Sequence, residues 1–380
     1  MKKTRVILIS SVRPEATSAG QIILHRHLVD QPRIDLQIYG SEPKKLSPST
    51  LLRRILGRVS HWGVGFRTVV NCLWVLWMGR WLDVDLPVHV PQSGNTVVVT
   101  VAHGEGFYSA HRFAKKHQLP LVVFFHDWWP DMVELPKLFR RILEKHFLSL
   151  AKNCSLGLCV SEGMREALGA GMNLNVLPPI PATQKLVEIP QQLKSSFPTF
   201  RILYFGNLED YGPMLGEALE ESLKYPEILL QMCGANPKWD SELCKTMRAN
   251  GRWLDFAPRN ELENWLASAD AFLIPMVFDP AMSRRMKTSF PSKLTEFAQF
   301  GKPLIIWGPE YCSAIRWGKI GNKAICVTDA DPRVLIKSII ALKTLLSEQS
   351  RLSRASIETA KGEFHPEKIQ DNFLKMMSAA

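Results

Sequence analysis

The sequence predicts an α/β chain built from two parallel-sheet domains, and three observations carry that prediction. Apolar runs of strand length alternate with segments of helical periodicity along almost all of the 380 residues. The alternation stops once, at the proline-rich stretch LPPIPATQKLVEIPQQLKSSFP (177–198), and then restarts. A chain this long also exceeds what one ordinary core accommodates. We expect domains at 1–182 and 201–362, a linker at 183–200, and a last helix within 363–380 able to return to the first domain.

The first domain opens on MKKTRVILISSVRPE, whose basic start resembles a signal peptide. Its apolar run is only strand length and is followed by Arg13, Pro14 and Glu15, so it reads as a first β-strand. There follow a helix in GQIILHRHLV, a strand in DLQIYG, a long basic helical region, strands in NTVVVTVAHG and LPLVVFFHD separated by the helix YSAHRFAKKHQ, and a second basic helix. SLGLCVS, EGMREALGA and NVLPP close the set. The second domain repeats the pattern with strands in FRILYFG, EILLQMCG, RWLDFAP, DAFLIPM, KPLIIWG and AICVTD. Two such domains place a ligand cleft at the carboxyl ends of their strands.

Composition narrows the function classes. With 46% hydrophobic and 22% charged residues the chain is globular, and no solenoid repeat or low-complexity segment is visible. Seven scattered cysteines without zinc spacing suit free thiols in a reducing cytoplasm. A net charge of +11 calls for an acidic partner. No zinc finger, helix-turn-helix or RNP-like motif supports nucleic acid in that role.

The charge is also unevenly placed. No acidic residue lies between Glu42 and Asp83, whereas Lys44, Lys45, Arg53, Arg54, Arg58, Arg67 and Arg80 do, interleaved with Trp62, Trp74, Trp77 and Trp81. This pattern suits a helix lying on an anionic membrane surface at the inner face, and VVNCLWVLWMGRWL is too short to cross it. LPKLFRRILEKHFLSLAK (135–152) has the same character. Two core helices with solvated basic edges would produce the same pattern.

The stretch SFPSKLTEFAQFGKPLIIWG (289–308) reads as a short helix followed at once by a buried strand. Ser289 or Ser292 can cap its start, Pro291 suits its first turn, and Gly301 suits its end. Unpaired N–H groups at such a start hold a phosphate, Lys293 adds charge, and Glu296 lies one turn deeper, where a ribose would sit. Leu294, Phe297 and Ala298 fall on the opposite face. An ordinary capped helix remains the alternative on pattern alone.

Taken in order, these segments resemble the GT-B nucleotide-sugar glycosyltransferases, specifically the retaining, family-4-like group that builds bacterial polysaccharides and glycolipids. The resemblance is carried by RVILISSVRPEATSAGQIILHRHL, LPLVVFFHDWWPD, LCVSEGMREAL and RILYFGNLEDYG, and most specifically by DAFLIPM followed by SFPSKLTEFAQFGKPLII. It implies two Rossmann-like domains facing each other across a cleft. It also implies transfer of a sugar from a nucleotide-sugar donor to a saccharide or lipid-linked acceptor, without a metal or other cofactor.

Carried over by position, Glu296 matches the carboxylate that holds the donor ribose, and Ser289, Phe290, Pro291, Ser292 and Lys293 lie at the diphosphate. Gly206 and Asn207 let the backbone approach the phosphates, Phe256 and Ala257 match the base-binding loop, and Arg284, Arg285 and Lys287 would neutralise the leaving diphosphate. His126 matches the histidine beside the transferred sugar, with Asp127 orienting it. Gly20, His103 and Glu105 lie where the acceptor would approach.

Two positions depart from the pattern. Thr288 stands where many relatives carry the first of two glutamates, and GNLEDYG offers Asn207, Glu209, Asp210 and Tyr211 in place of an Arg and a Lys. These departures leave open a catalytically silent scaffold at the membrane, and an epimerase of the same fold is a further alternative. Asp83-Val84-Asp85 has metal-binding spacing but reads as a solvated loop.

Overall fold

A computed structural model describes residues 3–17, 19–29, 31–40, 58, 61, 63–73, 86, 95–169, 173–182, 199–254 and 259–380. Lys44, Lys45, Arg53, Arg54, Arg80, the four tryptophans 62, 74, 77 and 81, the Asp83–Asp85 motif, Phe256 and Ala257 lie outside the described residues. The chain forms two compact units, Met1–Ile180 with Ile369–Ala380, and Pro181–Lys368.

The first unit holds strands β1 (Thr4–Ile9), β2 (Ile34–Tyr39), β3 (Thr96–Val101), β4 (Leu121–Phe125), β5 (Leu156–Cys159) and β6 (Leu174–Val176). All pairings are parallel, in the order β2-β1-β3-β4-β5-β6. Its helices are α1 (Ala19–Leu28), α2 (Val64–Leu73), α3 (Gly106–His117), α4 (Trp129–Met132), α5 (Lys137–Asn153) and α6 (Glu162–Leu168). Every residue of β3 and β4 is buried, which is why β4 reads as an unbroken apolar run and β3 as one interrupted only by Thr96 and Thr100, instead of alternating. Successive side chains still point to opposite faces. Phe124 meets Phe373 of the C-terminal helix Pro366–Ala379 (centroids 5.6 Å apart), and Phe125 meets Phe147 of α5 (5.3 Å).

The second unit repeats this plan with β7 (Phe200–Phe205), β8 (Ile228–Cys233), β9 (Trp253–Leu254), β10 (Ala271–Pro275), β11 (Leu304–Trp307) and β12 (Ile325–Val327). The parallel order is β12-β11-β10-β7-β8-β9. The helices are α7 (Gly212–Ser222), α8 (Ser241–Ala249), α9 (Arg259–Ala267), α10 (Ser283–Thr288), α11 (Ser292–Ala298), α12 (Ser313–Lys319), α13 (Pro332–Thr344) and α14 (Leu346–Lys361). β10 and β11 are buried throughout, and Phe297 of α11 stacks on Phe272 of β10 at 4.4 Å. Leu294, Phe297 and Ala298 are indeed the buried face of α11.

The order reverses between β1 and β3 in the first sheet, and between β7 and β10 in the second. At such switch points the connections leave in opposite directions and open a crevice at the strands' carboxyl ends.

Residues Ile369–Ala380 pack into the first unit through Ile369, Phe373 and Met377. His27 of α1 is fully buried there, its Nδ1 donating to Gln370 Oε1 (2.8 Å) while Gln370 Nε2 donates to the His27 carbonyl (3.0 Å). Burial lowers the His27 pKa from 6.5 to about 4, against the raising effect of the Gln370 bond. A neutral folded imidazole whose unfolded form still takes up protons stabilises the fold fully above pH 6.5 and loses that contribution as pH falls toward 4. The contribution is roughly 3 kcal/mol, from about 1.4 kcal/mol per pKa unit. His27→Asn, which keeps a donor near Nδ1, should therefore be less stable than the wild type at pH 7 but lose markedly less stability between pH 6.5 and 4, measured by urea unfolding at a series of pH values.

Candidate functional site

In the first unit the β1/β3 switch point is a pocket of about 430 Å³ lined by Ser11, Val12, Gly20, Gln21, Val101, Ala102, His103, His126 and Asp127. Its polar groups arrive from three adjacent strand ends and the first turn of α1. Ser11 and Val12 follow β1, His103 follows β3, and His126 and Asp127 follow β4. Glycines let these loops close on one another. A Cβ on Gly106 would lie 2.5 Å from the Ser11 nitrogen, and Gly106 N–H donates to Ser11 Oγ at 2.8 Å. Gly104 takes a left-handed φ of 68°, where a Cβ would meet that of Ser11 at 2.6 Å.

His126 lies over Phe124, with ring centroids 5.4 Å apart, and a Cβ on Gly20 would stand 4.0 Å from its Nδ1. Burial lowers the His126 pKa to about 4, with Asp127 opposing the shift and His103 adding to it. Burial likewise lowers the His103 pKa, with Asp127 opposing. The site at neutral pH thus holds two uncharged imidazoles around a carboxylate. The His103 ring rests 5.9 Å from that of Trp129.

Of the residues singled out by sequence, Gly20, His103, His126 and Asp127 come together here, while Glu105 holds the N-cap position just before α3. Ser11, Val12, Gln21, Val101 and Ala102 were missed. A serine and a valine carry no chemical signature, and only their place at the end of β1 marks them.

In the second unit, Gly206 and Asn207 follow β7 at the β7/β10 switch point. Gly206 is buried over the Tyr204 hydroxyl, where a Cβ would meet it at 2.7 Å, and that hydroxyl donates to the Asn207 carbonyl (3.1 Å). Asn207 Oδ1 accepts from Glu209 N–H at 3.0 Å, closing a tight turn. Lys293 Nζ sits 4.2 Å over the Phe205 ring, which ties the start of α11 to the end of β7. Arg285 Nη1 pairs with Asp210 Oδ2 at 2.9 Å, tying α10 to the same loop.

The start of α11 differs from expectation in one respect. Neither serine caps it: Pro291 holds the N-cap position with no side-chain cap bond, and Ser292 is the first helical residue. Ser289 instead ends α10, and its carbonyl accepts from the Ser313 hydroxyl. The reason is that the preceding helix runs to Thr288, so Ser289 is already engaged as that helix's C-cap. Gly301, with φ of 62°, donates to the Ala298 carbonyl and ends the segment.

Glu296 is half-buried and its Oε2 accepts from Ala182 N–H at 3.4 Å. Thr288 is fully buried and donates to the Arg284 carbonyl (2.9 Å), and Phe290 meets Trp317 and Phe364. Arg284 and Lys287 are exposed. Among the described residues no group of three His, Cys, Asp or Glu is placed to hold a metal ion.

α5 corrects the reading of residues 135–152 in one respect: its apolar side is not available to lipid. Its apolar side (Leu143, Phe147, Leu150 and Ala151) is buried in its own unit, because Phe147 packs on Phe125 and Trp128. Its exposed face keeps Lys137, Leu138, Arg141 and Lys145.

No family model and no curated protein matches the sequence. Solved structures do match over the whole chain. Anabaena HepE in complex with UDP-glucose is 13% identical with a TM-score of 0.63, covering 99% of this chain and 100% of that one. Sucrose-phosphate synthase from Thermosynechococcus elongatus is 11% identical with a TM-score of 0.63, covering 100% of both chains. The UDP-forming α,α-trehalose-phosphate synthase from Burkholderia vietnamiensis is 10% identical with a TM-score of 0.56, covering 99% of both. The α/β fold seen here, two parallel six-stranded sheets with flanking helices, is the fold of these GT-B glycosyltransferase structures.

The close approach of Gly106 to the Ser10–Ser11 backbone predicts that Gly106→Ala forces those loops apart. A loss of about 1–3 kcal/mol in stability is expected, with shifted imidazole NMR signals of His103 and His126. Unchanged signals would show that the two loops are independent.

Proposed function

We propose that the chain is a glycosyltransferase that moves a sugar from a nucleoside-diphosphate sugar to a saccharide or lipid-linked saccharide acceptor. We take the transfer to proceed with retention and without a metal, in the cytoplasmic assembly of a bacterial polysaccharide or glycoconjugate. The observation that carries this reading is the start of α11. Pro291 holds its N-cap position and supplies no side-chain cap, Lys293 is held beside the end of β7, and Glu296 lies one turn further along. A diphosphate at that start would be held by the helix end, by Lys293 and by the close backbone at Gly206 and Asn207. Glu296 would exchange its 3.4 Å contact with Ala182 for the ribose hydroxyls. Ser289, Phe290 and Pro291 shape this approach, with Thr288 packed beneath, and Phe256 and Ala257 would receive the base. The fold's occurrence in HepE with UDP-glucose bound supports the assignment.

Arg284, Arg285 and Lys287 would neutralise the departing diphosphate, where charge builds as the glycosidic bond breaks. Arg285 is oriented for this by Asp210. His126 would stand beside the transferred sugar as a neutral hydrogen-bonding group set by Asp127. Gly20, His103 and Glu105 belong to the acceptor side.

A second reading, a silent nucleotide-binding scaffold, is favoured by one observation: the Arg285 charge is already met by Asp210. Turnover of a panel of nucleotide sugars in the presence of a chelator separates the two readings. Product formation supports the enzyme, and binding without turnover supports the scaffold.

Glu296→Ala should weaken nucleoside-diphosphate binding by about 1.5–3 kcal/mol in calorimetric titration while leaving the unfolding curve in place. Equal affinity in the mutant would remove Glu296 from the site.

Docking on anionic lipid also belongs to the proposal. α2 exposes Phe66, Val69 and Leu73, and the neighbouring α5 exposes Lys137, Arg141 and Lys145. Arg67 and Asn71 of α2 bond Glu134, just ahead of α5. Among the described residues no helix is long and apolar enough to cross a membrane. Cosedimentation with anionic vesicles should weaken at high salt and fall when Lys137, Arg141 and Lys145 are changed together to Glu, at about 1 kcal/mol for each cation near the surface. Wild-type protein that ignores such vesicles at low salt would place the acceptor in solution.

A further inference from the structure

The turn that follows β7 rests on a tyrosine. Tyr204 is buried in β7, where a phenylalanine would fill nearly the same space, so its hydroxyl has to be matched by an acceptor. Among the described residues that acceptor is the Asn207 carbonyl, at 3.1 Å. Burial raises the Tyr204 pKa, and Tyr211 and Asp210 add to the rise, so the phenol keeps its proton and stays a donor. Gly206 crosses directly over the hydroxyl, where a Cβ would lie 2.7 Å from the oxygen.

The loop after β8 holds the same turn from another side. Leu208 N–H donates to the Ala235 carbonyl at 3.4 Å, so the Asn207–Leu208 peptide is fixed at its oxygen by Tyr204 and at its nitrogen by Ala235. The Gly206 carbonyl presses on Gly234, where a Cβ would stand 2.0 Å from that oxygen. Gly212 lies against the Pro237 carbonyl, and Trp239 Nε1 donates to the Gly212 carbonyl at 2.6 Å. Gly206 N–H donates to the Cys233 carbonyl, and Glu209 N–H to Asn207 Oδ1. Among the described residues the Asn207 N–H, in an exposed residue between two fixed peptides, has no acceptor.

We propose that Tyr204 is the positioning residue of the nucleotide site: its hydroxyl fixes the turn so that the Asn207 N–H donates to a phosphate oxygen of the nucleoside diphosphate. The proposal rests on the donor reading above and deepens it by naming what sets the turn. Tyr204 acts through the backbone, since Gly206 covers its hydroxyl. An N–H held in place beforehand gives its full bond to the anion, whereas one on a loose turn first has to be ordered.

The test uses the full chain with UDP against uridine, GDP against guanosine and ADP against adenosine, and follows the pair that the wild type binds most tightly. Tyr204→Phe removes only the hydroxyl. Calorimetry, with competition for the weaker nucleoside, should show the preference for the diphosphate falling about tenfold while nucleoside affinity stays at the wild-type value. A tyrosine that only packs would weaken both affinities together or neither, and either result overturns the proposal. The urea unfolding curve shows that the variant is folded under the assay conditions. Should Tyr204→Phe fail to fold, Gly206→Ala, whose Cβ would drive the hydroxyl away from the Asn207 carbonyl, serves the same purpose. In the wild type the Asn207 amide NMR signal should shift with the diphosphate and not with the nucleoside, and a signal that the diphosphate leaves unmoved also overturns the proposal. Wild-type protein that binds no diphosphate sinks the donor reading and this proposal with it. Diphosphate binding that Glu296→Ala weakens and Tyr204→Phe leaves unchanged sinks this one alone.

Discussion

Burial of both faces of a parallel sheet is the constraint on which the rest of the molecule depends. β3, β4, β10 and β11 are buried from end to end, so their backbone groups must be paired within the sheet and their side chains are apolar apart from Thr96 and Thr100 of β3. Polar chemistry is thereby pushed to the strand ends. His126 is the residue after Phe125, His103 lies just beyond β3, and Gly206 follows Phe205. Because the strand order reverses at β1/β3 and at β7/β10, strand ends gather at each reversal, and in the first unit they line a pocket. The glycines at 104 and 106 permit the close approach of loops that shapes that pocket, and Gly206 leaves room for the Tyr204 hydroxyl.

The same burial sets the electrostatics of the first unit. His126 and His103 carry the polarity of a site yet stay neutral, because desolvation outweighs the attraction of Asp127. His27 shows the same balance with no functional role assigned to it: it joins α1 to the C-terminal helix through Gln370 and titrates only in acid. In the second unit charge is handled by pairing instead. Asp210 meets Arg285, Glu209 meets Lys238, and Lys293 rests on an aromatic face.

What could be read from the sequence follows the range of the interactions involved. The α/β fold was legible because each buried strand announces itself locally, as in LVVFF and LIIW, and because the helix–strand alternation is carried by neighbouring residues. The buried face of α11 was legible for the same reason. The partners of the site residues were not. Arg285 and Asp210 lie 75 residues apart, and nothing near either one announces the pair. Ser11 and Val12 become pocket residues only through the neighbourhood of β1 and β3, which belongs to the sheet as a whole. The capping of α11 was misread because a six-residue helix, Ser283–Thr288, ends on Ser289, and so short a helix leaves little periodicity to detect. The amphipathic pattern of α5 was real, but a pattern cannot say whether an apolar face meets lipid or its own sheet.

The central claim is that the second unit holds a nucleoside diphosphate at the start of α11, with the sugar of the nucleotide against Glu296. The most direct measurement is a crystal structure of the protein with UDP-glucose. The account predicts phosphate oxygens on the N–H groups at the start of α11 and near Lys293, with the ribose hydroxyls on the Glu296 carboxylate in place of Ala182. A nucleotide found in the β1/β3 pocket, or at the second unit with Glu296 still bonded to Ala182, would contradict it.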